Sequence, residues 1–142
     1  MYSISEKITI KNRAIISKQF FKNEEIKQTA VLYFKCDSCN HQNKIEITPY
    51  ESGFPVFQIY EEEKVLSKNE LLGNKMLTET SPWMKHFGDL TLNDLPTLYF
   101  GVDCETCQSK YICIFCYGEK QPGLTLLEIS GVWKYEIKID EK

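Results

Sequence analysis

Arginine is almost absent from this chain. Arg13 is the only arginine among 17 basic residues, and the formal net charge is −3 at pH 7. Arginine makes the bidentate contacts by which many proteins bind phosphate groups and guanine, and no segment concentrates the positive charge that neutralises a phosphate backbone. These two deficits disfavour nucleic acid as a partner.

Motifs that carry catalysis are also lacking. His41 and His86 are the only histidines. The chain has no glycine-rich phosphate-binding loop, no Ser/His/Asp pattern and no paired-carboxylate motif. We therefore predict that the protein is not an enzyme.

Long apolar runs are missing as well. No window of about 18 apolar residues exists, and the N-terminal segment 1–20 interrupts each apolar stretch with charge and has no small-residue cleavage pattern. These features predict no membrane partner and a cytoplasmic location. Thiols stay reduced in the cytoplasm, so closely spaced cysteines are expected to bind metal or to take part in redox chemistry.

The composition that is present predicts one folded domain, residues 1–142. Hydrophobic residues make up 42% of the chain and aromatic residues 13%, which is enough for a core. Segments rich in β-branched, aromatic or alternating apolar residues predict strands. They are 29–35, 44–48, 54–60, 97–100, 110–117 and a final pair, 124–129 and 132–139, separated by Ser130 and Gly131.

The middle of the chain predicts a small helical insert at about 61–95. Ser67 and Glu70 have the spacing of a capping box, and Ser81 followed by Pro82 is a second helix-start signal. Residues 91–95 are expected to add one more turn. The predicted fold class is therefore α+β, a mostly antiparallel sheet with a helical insert.

Six cysteines form three Cys-x-x-Cys pairs. Cys36, Cys39, Cys104 and Cys107 follow predicted strands and lie in polar, turn-like surroundings. Two such turns supply the four thiolates of a tetrahedral zinc site. The third pair, Cys113 and Cys116, lies within a predicted strand, where these positions point to opposite faces, so we expect both to be buried packing residues.

The two cysteine turns resemble the zinc-ribbon fold group, in which two β-hairpin knuckles bind one metal ion. The resemblance implies a zinc cofactor bound by Cys36, Cys39, Cys104 and Cys107. Asn40 and Gln108 follow the knuckles where glycine is common, and the two pairs are unusually far apart in sequence. His41 as a ligand, and a rubredoxin-like iron in place of zinc, remain alternatives.

These observations favour a zinc-stabilised cytoplasmic protein-binding module. A toxin-neutralising immunity protein is one subclass that fits by analogy. We expect the partner surface on the insert, with Trp83 as the anchor and Glu61, Glu62 and Glu63 steering a basic partner. The alternatives are a core position for Trp83 and a merely solvated acidic run. The other functions left open are nucleic-acid binding by stacking on single strands and electron transfer by an iron centre.

Overall fold

The computed structural model describes residues 1–26 and 28–139. The described strands are β1 (Ile8–Arg13), β2 (Ile15–Ile16), β3 (Phe20–Lys22), β4 (Ala30–Lys35), β5 (Gln42–Ile47), β6 (Phe54–Pro55), β7 (Thr78–Glu79), β8 (Leu90–Thr91), β9 (Thr97–Asp103), β10 (Lys110–Gln121) and β11 (Leu124–Ile137). The described α-helices are α1 (Phe57–Tyr60) and α2 (Lys68–Gly73), and 3-10 helices span Asn23–Glu25, Glu61–Glu63 and Pro82–Phe87. None of the helices in these ranges is long and apolar enough to cross a membrane.

Most of the strands belong to one antiparallel sheet. Its order is β1-β11-β10-β9-β6, and β3 also pairs with β11. A three-stranded sheet has the order β2-β4-β5, and β7 pairs with β8 in a separate hairpin. The mostly antiparallel α+β prediction is therefore confirmed.

The core has two main parts, one on each face of the large sheet. On one face the sheet packs against the insert through residues such as Ile59, Leu71 and Met76. On the other face it packs against the three-stranded sheet, which contributes Leu32 and Phe34 among others. The large sheet is thus the middle of three layers.

Strand β10 explains why the third cysteine pair is buried. Ile112 and Ile114 pack with the insert, whereas Cys113 and Phe115 pack with the three-stranded sheet. Cys116 belongs to a separate small apolar cluster. A strand covered on both faces is apolar throughout, and the prediction that Cys113 and Cys116 point to opposite faces is confirmed.

The prediction of a strand over residues 54–60 is wrong beyond Pro55. Residues 57–60 form α1, and the buried side chains are Val56, Ile59 and Tyr60. Their spacing is helical, although the short apolar run also fitted a strand. The insert therefore begins a few residues earlier than expected.

Residues 91–95 do not form the expected helical turn. Strand β8 pairs with β7 through Leu90 and Thr91, and a bridge then joins Leu92 to Leu95. Asn93 and Asp94, between the bridge residues, both have left-handed backbone, with φ of 58° and 57°. Two consecutive left-handed residues make a tight reversal, for which asparagine and aspartate are well suited.

The predicted final pair of strands is one strand, β11. The register shifts by one residue at Ser130, which bulges between Gly131 and Ile129. A Cβ on Gly131 would lie 2.8 Å from the Trp133 ring and 3.0 Å from Nε of Arg13. The glycine therefore permits close packing within a strand and does not mark a turn.

The capping box of the insert is confirmed. The backbone N–H of Glu70 donates to Oγ of Ser67 at 3.1 Å, and the N–H of Ser67 donates to the Glu70 carboxylate at 3.1 Å. Helix α2 starts there as expected. The second helix-start signal, at Ser81 and Pro82, produces a 3-10 helix.

An N-terminal segment packs across the large sheet at Gly101. Tyr2 and Gly101 exchange both backbone hydrogen bonds, at 3.0 and 2.7 Å. The Tyr2 hydroxyl donates to Asp103 at 2.7 Å and lies 2.9 Å from the Tyr135 hydroxyl. A Cβ on Gly101 would overlap the Tyr2 ring, so this contact requires glycine.

We expect Gly101→Ala to destabilise the fold by about 1–3 kcal/mol, because the added methyl displaces Tyr2. Gly73→Ala is the matched control: nothing lies within 4 Å of the added methyl, and alanine in a helix is favoured over glycine by about 0.5–1 kcal/mol. Urea denaturation midpoints measure both effects. Equal midpoints for the two variants would contradict the packing of Tyr2 on Gly101.

Candidate metal centre

The four predicted cysteine ligands lie at the tips of two β-hairpins. Cys36 and Cys39 lie in the turn between β4 and β5, and Cys104 and Cys107 lie in the turn between β9 and β10. The first hairpin belongs to the three-stranded sheet and the second to the large sheet. The site therefore joins two different layers.

The two turns have matching hydrogen bonds. The N–H groups of Cys36 and Cys104 donate to the carbonyls of His41 and Ser109, at 3.0 and 2.8 Å. The N–H groups of Asn40 and Gln108 donate back to the carbonyls of Cys36 and Cys104, at 2.9 and 3.0 Å.

The residue after each cysteine pair has left-handed backbone. The φ angles are 63° at Asn40 and 65° at Gln108. Asparagine tolerates this conformation better than glutamine does. Both turns nevertheless adopt one geometry without glycine.

The sulfur atoms have the spacing of a metal site. All four lie within 4.8 Å of one another. Two of the separations join the two turns directly: Sγ of Cys36 lies 3.5 Å from Sγ of Cys107, and Sγ of Cys39 lies 3.6 Å from Sγ of Cys104. Thiolates bound at about 2.3 Å to one tetrahedral ion stand about 3.8 Å apart, whereas a disulfide needs about 2.05 Å. The cysteines are unbonded to one another, and the set suits a bound metal ion.

The surroundings of Cys36 stabilise its thiolate. Burial opposes ionisation, but hydrogen bonds from the Tyr111 hydroxyl, from the backbone N–H groups of Cys39 and Ser38 and from Cys107 lower the pKa of Cys36 to about 6. A metal ligand must be deprotonated. These donors therefore favour the thiolate form of Cys36, which is the form that binds a metal cation.

The other buried ligand, Cys104, behaves in the same way. Burial is again outweighed by hydrogen bonds, from the backbone of Cys107 and the side chain of Asn43 first, and the pKa is lowered. Cys39 differs, because the sulfurs around it oppose a further negative charge. Although the N–H of His41 donates to it, desolvation and hydrogen bonds with the other three cysteines raise its pKa to about 12. A divalent metal ion bound among the sulfurs would favour ionisation of Cys39, because its positive charge attracts the thiolate.

Asn43 connects the two turns. It lies buried at the start of β5, donates to Sγ of Cys104 at 3.5 Å and accepts from the N–H of Glu105 at 3.0 Å. The sequence interpretation missed it. The signal was present, because Asn43 shares the inward face of β5 with Ile45 and Ile47, where a polar side chain needs a partner.

Tyr111 holds the first turn against the large sheet. Its hydroxyl lies 3.3 Å from Sγ of Cys36 and 3.1 Å from a carboxylate oxygen of Asp37, and it accepts from the Asp37 N–H at 3.1 Å. Lys134 and Asn12 also contact the Asp37 carboxylate, at 3.3 and 2.6 Å. Outer contacts of this kind orient metal ligands. Nothing in the sequence singled out Tyr111 for this role.

The remaining predicted site residues lie elsewhere. His41 contacts Glu105 at 3.7 Å through its ring and is not one of the clustered ligands. Cys113 and Cys116 are buried in the sheet, and burial raises the pKa of each thiol, that of Cys116 to about 11. Trp83 is exposed on the insert, as are Glu61, Glu62 and Glu63.

Comparison of the chain with protein-family models, curated proteins and solved structures finds no match in any of the three. The metal centre therefore rests on its own geometry and chemistry.

We expect protein purified under reducing conditions to carry about one metal ion per chain. Cys36→Ser and Cys104→Ser should lose it, because three thiolates are left. Cys116→Ala should retain it, because that thiol lies in a separate cluster. Elemental analysis after gel filtration measures the metal content of the unmodified protein and of the three variants. Two ions per chain, or loss of metal from Cys116→Ala, would overturn the assignment.

Proposed function

We propose that the chain is a cytoplasmic protein-binding module in which one structural zinc ion joins two sheets and the insert carries the partner surface. The two cysteine turns act as a zinc-ribbon-like pair of knuckles. The metal supplies stability, and the insert supplies recognition.

Zinc is the metal that the donor set favours. Four thiolates in a tetrahedron suit zinc or iron among the biological metals. Four protein ligands also fill the coordination sphere of zinc, which leaves no position for a reacting water molecule. The metal therefore has a structural role in this proposal. A colourless protein that contains zinc supports it, whereas a red protein that contains iron supports the electron-transfer alternative.

The exposure of Trp83 is the observation that carries the protein-binding function. Trp83 is 76% exposed, whereas Trp133 is 4% exposed in the core. Exposing so large an apolar side chain is unfavourable in water, and tryptophan is enriched among the residues that dominate binding energies.

Trp83 is presented on an anchored segment. It follows Pro82 at the start of a 3-10 helix. The preceding Ser81 donates to the Asp94 carboxylate twice, from its N–H at 2.8 Å and from Oγ at 2.6 Å. An anchored segment loses less entropy on binding than a free loop does.

The acidic run gives the insert a charge that attracts a basic partner. Glu61, Glu62 and Glu63 are exposed, and Glu62 and Glu63 have left-handed backbone. None of the three forms an ion pair within the described residues. Such charges raise association rates more than they lengthen the lifetime of a complex.

We expect Trp83→Ala to weaken binding of the cellular partner by about 2 kcal/mol or more, with a melting temperature within a few degrees of the unmodified protein. Ile15→Ala is the matched control. Ile15 is also 76% exposed, but it lies on the three-stranded sheet, in a different layer from the insert. The Ile15→Ala variant should bind the partner with the affinity of the unmodified protein.

The measurement is affinity capture from the native cell with mass spectrometry, followed by titration of the purified partner. Equal binding by both variants would remove Trp83 from the interface. Binding lost only by Ile15→Ala would move the partner surface to the three-stranded sheet. Capture of single-stranded nucleic acid in place of protein would favour the alternative function.

A further inference from the structure

Two neighbouring cavities in the structure have a lining residue in common, and we call the pair the trench. The larger encloses about 550 Å³ and the smaller about 360 Å³. Phe57 lines both. The segment 86–89 also runs along both: His86 and Phe87 line the larger cavity, and Gly88 and Asp89 line the smaller.

Helix α1 and the segment 88–90 approach each other closely at Gly88. This residue has φ of 114°, and a Cβ there would lie 2.8 Å from the Tyr60 hydroxyl. The same hydroxyl accepts from the N–H of Leu90 at 3.3 Å. Helix α1 is thereby tied to the segment 88–90, and residues of both line the smaller cavity.

The larger cavity is aromatic and nearly uncharged. Tyr50, Phe57, Phe87, Phe115 and Tyr117 contribute rings, and among the described residues that line it only His86 is of acidic or basic type. Phe57 is 45% exposed. The rings of Tyr50 and Tyr117 pack edge to face, with centroids 5.1 Å apart. This half of the trench suits an apolar side chain and penalises a charged one.

The smaller cavity is acidic. Glu61, Glu62 and Asp89 line it together with Lys68. Lys68 neutralises Asp89 through an ion pair of 2.8 Å, and Glu61 and Glu62 form no ion pair within residues 1–26 and 28–139. Lys85 also acts on the Asp89 carboxylate, so Glu61 and Glu62 are the acids of this half that no nearby lysine pairs with among the described residues, and they attract a cation.

We propose that the trench binds an extended segment of a partner protein, with an apolar side chain in the aromatic half and a neighbouring lysine or arginine in the acidic half. This inference rests on the proposed protein-binding function and names its surface. An aromatic cavity next to an acidic one suits a peptide segment that has an apolar side chain next to a basic one. Trp83 lies on the same 3-10 helix as His86 and Phe87, so the trench and the exposed tryptophan belong to one partner surface.

The first experiment selects ligands from a phage-displayed library of short random peptides. The target is the full chain loaded with metal, with counter-selection against Phe57→Ala. We expect the enriched peptides to pair an apolar residue with a lysine or arginine. Enrichment of acidic peptides, or no enrichment over the counter-selected background, would overturn the inference.

The second experiment measures the affinity of the enriched peptides by fluorescence anisotropy. Replacing both Glu61 and Glu62 by lysine should weaken binding about tenfold or more, because attraction becomes repulsion. The matched control replaces Glu6 and Glu24 by lysine. Both are exposed acids outside the trench, and their replacement changes the net charge equally, so the affinity should stay within about twofold.

Phe57→Ala should also weaken peptide binding, because both halves of the trench share this ring. Phe57 is partly buried, so the melting temperature of this variant must be checked. If the variant does not fold, the charge-reversal pair decides alone. Equal peptide affinity of the charge-reversal protein and its control would overturn the inference. Dimerisation that depends on Phe57 in the absence of peptide would also overturn it, because the occupant of the trench would then be a second copy of the chain.

The cellular partner separates this inference from the proposed function. A partner that is released by Trp83→Ala but retained by the charge-reversal protein leaves the protein-binding function intact and refutes the trench as its site. A partner released by both supports the two proposals together. A partner retained by Trp83→Ala contradicts the surface assigned in the proposed function, whatever the peptides show.

Discussion

The spacing of four cysteine sulfurs at the tips of two hairpins is the constraint on which the rest of the structure depends. Cys36 and Cys39 belong to the three-stranded sheet, whereas Cys104 and Cys107 belong to the large sheet. Bringing the two turns together closes a long loop, which costs conformational entropy. A metal ion bound by all four thiolates would offset that cost, because its binding free energy is gained only when the two turns are together. The sheets enclose an apolar layer that includes Phe34 and Phe100, and a metal ion bound by the four cysteines would join the two sheets at one end of that layer.

Strand β10 connects this metal end of the molecule to the trench. Tyr111, near its start, contacts Cys36 and Asp37, and its ring packs 4.7 Å from that of Phe34. Phe115 and Tyr117, farther along the same strand, line the aromatic half of the trench. Six residues of strand span about 20 Å. The same buried strand thus carries both the contacts that hold Cys36 and the rings that line the aromatic cavity.

Much of this structure follows from the sequence, and the exceptions have physical reasons. The spacing of the cysteines identified the four clustered thiols, because two intervening residues let one turn present both sulfurs. The capping box located the start of α2, because its hydrogen bonds join residues that are close in sequence. The prediction of a strand at 54–60 was wrong because a short apolar run fits both the two-residue period of a strand and the 3.6-residue period of a helix. Trp83 and Trp133 could not be told apart by residue type, since burial depends on which layer covers each side chain. Asn43 and Tyr111 act across the interface between hairpins, and such contacts have no local sequence pattern.

The melting temperature of the protein with and without its metal tests the central claim most directly. The metal is removed at neutral pH under reducing conditions, and its absence is verified by elemental analysis. We predict a decrease of about ten degrees or more, because loss of the cross-link costs several kcal/mol and each ~1 kcal/mol shifts the midpoint of a domain of this size by a few degrees. Restoring one equivalent of zinc should restore the melt. An unchanged melting temperature after verified removal would show that the two sheets are held together without the metal and would contradict the account.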